Sequence, residues 1–279
     1  MRRDGICMVK NDYYTKTLQF NDINYELAGT VEQEAIFNRY CSFLNHFESN
    51  IDIQFTFQNK VIDMKEFKKY IKLPYKKDES EKIKEYRREY QEMLYSQFEK
   101  RSSGTIKVKY LTFGIHESNF KKAKNALERT ELEIIRIFKR MNVTVHSLNG
   151  FERLKLLKES LHPLQPILFN FNWKSRYTSG ISVKDSISPT SMDFSKLNCF
   201  RIGNTYGAAY HVYIDSAEVS DRIIEEIMAV DSNLTVNIHT HSLDQLKALN
   251  FVSNKLTNAN AVKIGKQHKA ADQGHDGDI

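Results

Sequence analysis

Residues 51–58, IDIQFTFQ, alternate without a break: Ile51, Ile53, Phe55 and Phe57 fall on one side, Asp52, Gln54, Thr56 and Gln58 on the other. A period of two with one apolar row predicts a strand with one wet face. The β-rich stretches 13–20 (YYTKTLQF), 105–115 (TIKVKYLTFGI) and 142–148 (NVTVHSL) predict three more strands. Between them the period lengthens to that of a helix. Residues 30–47 place Val31, Ala35, Phe43 and Phe47 on an apolar face behind a Thr30/Gln33 capping box, and 118–141 predict a second helix. A lysine-rich connection around Pro74 leads into a long charged helix, about 79–101, with Ile83, Tyr86, Tyr90, Leu94 and Phe98 as a narrow apolar seam.

With 79–101 set aside as an insertion, the order is β-α-β twice over, which predicts a ferredoxin-like split-βαβ subdomain across residues 1–162. A short helix, about 150–161, closes it at His162-Pro163. Residues 163–279 open with a strand at 167–173 (ILFNFNW) and a Ser/Thr-rich loop at 174–196. Strands in NCFRIG (198–203) and YGAAYHVYI (206–214), a helix at 218–230, a strand at 234–241 and a helix from a Ser242/Gln245 box follow. The expectation is an α+β protein in which the first subdomain packs on a second, incomplete ββαβα subdomain. The polar tail ADQGHDGDI (271–279) reads as a truncation of that unit.

Composition narrows the function classes. Of 279 residues, 17 are Phe and 14 Tyr against only 11 Gly and 4 Pro, enough to build a core and too ordered for a linker. A net charge of +6 suits an acidic partner or membrane surface but falls short of the concentrated basic face of a dedicated nucleic-acid binder. Cys7, Cys41 and Cys199 are odd in number and lack CxxC spacing, as in a reducing compartment. No apolar run approaches the roughly 18 residues of a membrane span, and MRRDGICMVKNDYY has no signal-peptide core. These features predict a cytoplasmic location.

Four patterns hint at chemistry. Gly203 and Gly207 in RIGNTYGAAYHVYI suggest a phosphate loop, but only three residues separate them. Ala208-Ala209 stand where Lys and Ser/Thr would be, and a strand follows instead of a helix. A hairpin turn explains GNTYG better. His239 and His241 share one strand face, with His211 as the candidate third zinc ligand, though a polar strand face accounts for them without a metal. Residues 65–101 interleave 12 Lys+Arg and 8 Asp+Glu with Tyr70, Tyr75, Tyr86, Tyr90 and Tyr95, a pattern of single-strand nucleic-acid contact or of a solvated helix. Ser182 near Lys184 and Ser195 near Lys196 lack a supporting base and read as loop residues. No residue qualifies as catalytic, cofactor-binding or metal-ligating, and no cofactor is expected.

The opening RDGICMVKNDYYTKTLQFNDINYEL resembles the start of the conserved region of the conjugative-transfer ATPases of type IV secretion systems (the VirB/TraE/TrbE/CagE motor family), in the form found on mobile elements of Gram-positive bacteria. KYLTFGI (109–115), FERLKLL (151–157), GISVKDSISPTS (180–191), KLNCFRIGNTYGA (196–208) and TNANAVKIGKQHKA (257–270) continue the resemblance in the family's order over nearly the whole chain. It implies the motor's N-terminal α/β region, which docks onto other secretion components at the inner face of the membrane. The Walker A and Walker B motifs belong to the family's C-terminal RecA-like domain, and neither occurs here. The resemblance therefore implies a non-catalytic docking and assembly domain, peripheral at the membrane, working by protein–protein contact with other components or with further copies of itself as a homo-oligomer. A nucleic-acid module using 65–101 and a metal-dependent enzyme at His211, His239 and His241 are the alternatives.

Overall fold

The structure, a computed structural model, describes every residue except 24, 26, 62–66, 69, 70, 72–79, 101–104, 163–168, 175–177, 179, 181, 212, 214–221, 231 and 274–279, with side chains as far as Lys263. A hairpin of β1 (Cys7–Lys10) and β2 (Tyr13–Phe20) turns through Asp12 at φ 60°. Helix α1 (Thr30–Leu44) leads to β3 (Ile51–Val61), and α2 (Glu81–Lys100) precedes β4 (Thr105–His116). Then come α3 (Phe120–Arg140), β5 (Val145–Ser147) and α4 (Gly150–Leu161). The remainder holds α5 (Val183–Ile187), β6 (Met192–Asp193), β7 (Phe200–Ile202), β8 (Thr205–Gly207), α6 (Ile223–Met228), β9 (Leu234–His241) and α7 (Gln245–Gln273).

Strands β5, β2, β4 and β3 lie side by side in that order, every pair antiparallel. With α1 and α3 as the two crossovers, this is the ferredoxin-like arrangement, and the protein is α+β. Period-2 patterning sets the faces. Leu18, Ile53, Phe55, Leu111, Phe113 and Ile115 turn toward the helices and pack with Phe43, Leu127, Ile134 and Phe138 in one buried cluster. Each fully buried Leu or Phe contributes about 1.5–3 kcal/mol of transfer free energy. Helix α3 fits because Ala123, Leu127, Ile134 and Phe138 recur at helical spacing, and its N-cap Asn119 accepts from Lys121 N and Lys122 N.

Two departures concern the second half. Strand β9 pairs antiparallel with β3 from Asp52↔His241 to Asn59↔Leu234, extending the first sheet. β6, β7 and β8 form a separate three-stranded sheet, so the strands of the expected ββαβα unit are divided between two sheets. The reason is sequence-blind register: Val236 and Ile238 are half-buried on the helix side, where Ile238 joins the core cluster beside Phe55. The aromatic alternation at Phe169, Phe171 and Trp173 is real but builds a ladder of ring contacts onto Phe151, with no strand at 169–172; 167 and 168 lie outside the described residues. Of the stretch 206–214, only Tyr206 and Gly207 are strand, while 212 and 214 lie outside the described residues.

Caps and seams also differ. Gly29, not Thr30, is the N-cap of α1, and Gln33 Nε2 donates to Tyr25 O, so the expected box is absent. Val31 is exposed, because only the C-terminal half of α1 reaches the core through Phe43. Asp244, not Ser242, precedes the first turn of α7, its Oδ1 accepting from Leu246 N and its O from Ala248 N. On α2, Ile83, Tyr86 and Tyr90 are exposed, and only Phe98 at the far end is buried, stacked on Phe67.

Helix α4 crosses the other sheet face. Its N-cap Asn149 forms a full capping box with Glu152. Arg153 donates to Gly5 O (2.6 Å), Thr15 O (2.7 Å) and Thr15 Oγ1 (3.0 Å), and Glu159 pairs with Lys60 (3.1 Å). The helix's own Leu154 is fully buried. The N-terminal segment is locked against this helix: a Cβ on Gly150 would stand 2.0 Å from Arg2 O.

Candidate docking surface

Beyond α4 the polar sheet face is open. It carries Tyr13 from β2, Asp52, Gln54 and Thr56 from β3, His116 from β4, and Asn237, His239 and His241 from β9. Register brings them together: Tyr13 pairs with His116, and Asp52 with both Gly114 and His241. His241 Nδ1–H donates to Asp52 Oδ1 (2.9 Å), and His116 Nε2 lies 3.8 Å from Asp52 Oδ2. The Tyr13 ring lies tilted by 33° against His116, with 4.5 Å between centroids. Burial, and then the charge and hydrogen bond of Asp52, push the Tyr13 phenol up to about 12. Farther along, Gln54 Nε2 and Thr56 Oγ1 both donate to Asn237 Oδ1, at 2.8 and 2.7 Å.

This face ends at β9, the outermost strand of the order β1-β2-β4-β3-β9. Among the described residues no strand pairs with its outer edge. Its eight residues, LTVNIHTH, carry no Lys, Asp, Glu or Pro, and its ladder with β3 is unbroken. Natural edges are usually blunted by such charges, prolines or bulges. Alternate residues of an antiparallel strand turn N–H and C=O outward, so roughly four residues of β9 present unpaired backbone groups. Immediately beyond it, α7 exposes Leu246, Leu249, Phe251, Val252 and Leu256.

The other candidates resolve locally. RIGNTYG is a hairpin: Ile202 pairs with Thr205 across a Gly203-Asn204 turn, with Gly203 at φ 58°. Gly207 leaves room for the Phe200 ring, whose tip would lie 2.6 Å from a Cβ there. His239 and His241 share an exposed face as predicted, but His211 sits in a stretch without regular structure. Among the described residues no group of three His, Cys, Asp or Glu could hold a metal ion. Ser182 caps α5 by accepting from Asp185 N, which explains its place beside Lys184. Ser195 N donates to Asp193 Oδ1, and Lys196 lies over the Tyr206 ring. Within 65–101, Lys84 pairs with Glu81, and Tyr95 packs on Phe67. Residues 65, 66, 69, 70, 72–79 and 101 lie outside the described residues.

Among the described residues no helix is long and apolar enough to cross a membrane. Asp52, His116 and Tyr13 escaped sequence reading because they lie on different strands; only the polar row of 51–58 hinted at them. No protein-family model matches this chain, and no curated protein matches it.

Proposed function

We propose that this chain is a non-catalytic docking and assembly domain of a type IV secretion motor, binding other components of the apparatus at the cytoplasmic membrane face. The observation that carries the docking role is the outer edge of β9, which carries no Lys, Asp, Glu or Pro and is paired with no strand among the described residues. An edge of this kind accepts a strand from another chain, with backbone hydrogen bonds giving affinity and alternate side chains giving selectivity. The motor assignment is supported by the ordered segments that resemble that family, from RDGICMVK to TNANAVKIG. In this reading the chain hydrolyses no nucleotide itself, and the engine is supplied by a RecA-like domain.

The test is the chain with Asn237→Lys and His239→Lys, which places charge along the edge without touching the core. The secretion-channel proteins encoded at the same locus should protect the amides of 234–241 from hydrogen exchange in the wild type. The double variant should lose both that protection and conjugative transfer. Transfer at wild-type frequency from the double variant overturns the proposal. A nucleic-acid reading has one observation in its favour, the exposed Tyr86 and Tyr90 on the charged helix α2. Single-stranded DNA binding that weakens steeply with salt and with Tyr86→Ala/Tyr90→Ala would favour it over docking.

A further inference from the structure

A second site lies on the opposite side of the sheet, between α1 and α3. There a groove of about 390 Å³ has Phe43 and Ile137 in its lining and Arg39, Arg136 and Arg140 around it. The arginines are not spent on the one acid present. Glu133 Oε1 accepts from Arg129 Nε (3.1 Å), and its Oε2 lies 3.3 Å from His46 Nε2. The Arg129 hydrogen bond holds the Glu133 carboxyl below the usual carboxylate range. Arg39 Nη1 donates to Arg140 O (3.1 Å), which fixes its position. Neither Arg136 nor Arg140 has a side-chain partner among the described residues.

Compensation of the α3 macrodipole explains Lys139 and Arg140, which lie in its last turn. It does not explain Arg136, one turn earlier, or Arg39, which comes from another helix. Guanidinium groups beside an apolar floor match a carboxylate carried on an apolar stem, because the planar fork takes a carboxylate through two parallel hydrogen bonds.

We infer that this groove binds an acidic segment of a partner protein, one in which Asp or Glu alternates with apolar residues. Charge placement selects the occupant. The groove continues past Arg136 into a second hollow of about 350 Å³ lined by Glu128 and Leu132. A phosphate backbone running on would meet Glu128 and Glu133. A peptide can place its carboxylates at Arg136 and Arg140 and its apolar side chains against Leu132, which is 63% exposed. This site is independent of the β9 edge and does not rest on the docking role proposed for it.

The test uses the full chain and a fluorescein-labelled peptide of about 12 residues built from Glu, Asp and Leu, followed by anisotropy. Wild type should bind, and Arg136→Gln/Arg140→Gln should lose about tenfold or more in affinity while unfolding at the same urea concentration. The edge variant Asn237→Lys/His239→Lys should bind the peptide normally, which separates failure of this site from failure of the edge. Three results overturn the inference: no binding at millimolar protein, binding insensitive to the arginine pair, or displacement of the peptide by equimolar pyrophosphate or single-stranded DNA.

Discussion

Lys16 points to the helix side of β2, where its Nζ pairs with Glu131 Oε2, while Glu131 Oε1 accepts from Ser147 Oγ. The two side chains are 9% and 11% exposed, so the pair is nearly sealed between α3 and the sheet. Lys16→Met keeps the stem and removes the charge, leaving Glu131 with Ser147 as its one remaining side-chain hydrogen-bond partner among the described residues. Stranding one member of a buried pair costs about 3–5 kcal/mol, and the residual exposure here favours the lower end, about 3. Removing both charges with Lys16→Met/Glu131→Leu strands neither, so the double variant should lie within about 1 kcal/mol of wild type. Glu131→Leu strands Lys16 in turn at a similar cost, so the cycle gives a coupling of about 5 kcal/mol. Urea unfolding followed by circular dichroism measures all four corners, with a constant slope confirming a comparable denatured state. If Lys16→Met unfolds within about 0.5 kcal/mol of wild type, or if the two changes simply add, water reaches the pair and the reasoning fails.

Other consequences follow from single groups. Arg153 is buried without a carboxylate among the described residues, and desolvation pushes it down to about 10. Arg153→Met strands Gly5 O, Thr15 O and Thr15 Oγ1 and should cost about 3 kcal/mol in urea, with Arg153→Lys recovering only part because one ammonium cannot span the fork. The Tyr13 phenol, raised to about 12, keeps its proton in the folded chain after the unfolded chain has lost it. Its contribution to stability is therefore complete below pH 10 and lost as pH rises to about 12. NMR titration of Tyr13 ¹³Cζ should show this, and Asp52→Asn should lower the value only partway, since burial is the larger cause; an unshifted wild-type phenol refutes it. Asn59 Nδ2 donates to Met228 O and Val230 O, both at 3.0 Å, tying the end of α6 to β3. Asn59→Asp turns that donor into an acceptor, so hydrogen exchange should rise in α6 while β2 keeps its protection.

What sequence reading reached was what periodicity encodes locally. The strand at 51–58, the helix at 118–141 and the βαββαβ order stand because each apolar row is written within one element and one sheet buries it. Strand 234–241 was also legible as a strand, and the wet face of His239 and His241 with it. Its place beside β3 was not, because the partner lies some 180 residues earlier and an alternating strand fits any sheet with one apolar face. The Asp52 cluster depends on that same register and was invisible for the same reason. The Thr30 and Ser242 boxes failed because Gly29 and Asp244 take the cap positions. The seam of α2 reads as buried only if a partner element is assumed.

The placement of β9 also constrains how a partner would use this edge. Within the ferredoxin-like order β3 is itself the outer strand, and β9 has been added to it from a distant part of the chain. Its apolar anchors are the half-buried Val236 and Ile238, whereas Asn237, His239 and His241 face solvent. β2, by contrast, carries five consecutive buried residues from Tyr14 to Leu18. Local opening should therefore release β9 well before the central strands, and native-state exchange should rank it below β2 and β4. A partner strand can then either extend the sheet beyond β9 or displace it and pair with β3. Ile238→Ala separates the two, because it weakens the anchor of β9 by about 1–2 kcal/mol while leaving its backbone intact. If the partner extends the sheet, the variant binds more weakly, since the template itself is looser. If the partner displaces β9, the variant binds more tightly, by up to about tenfold, because the competing strand has been handicapped.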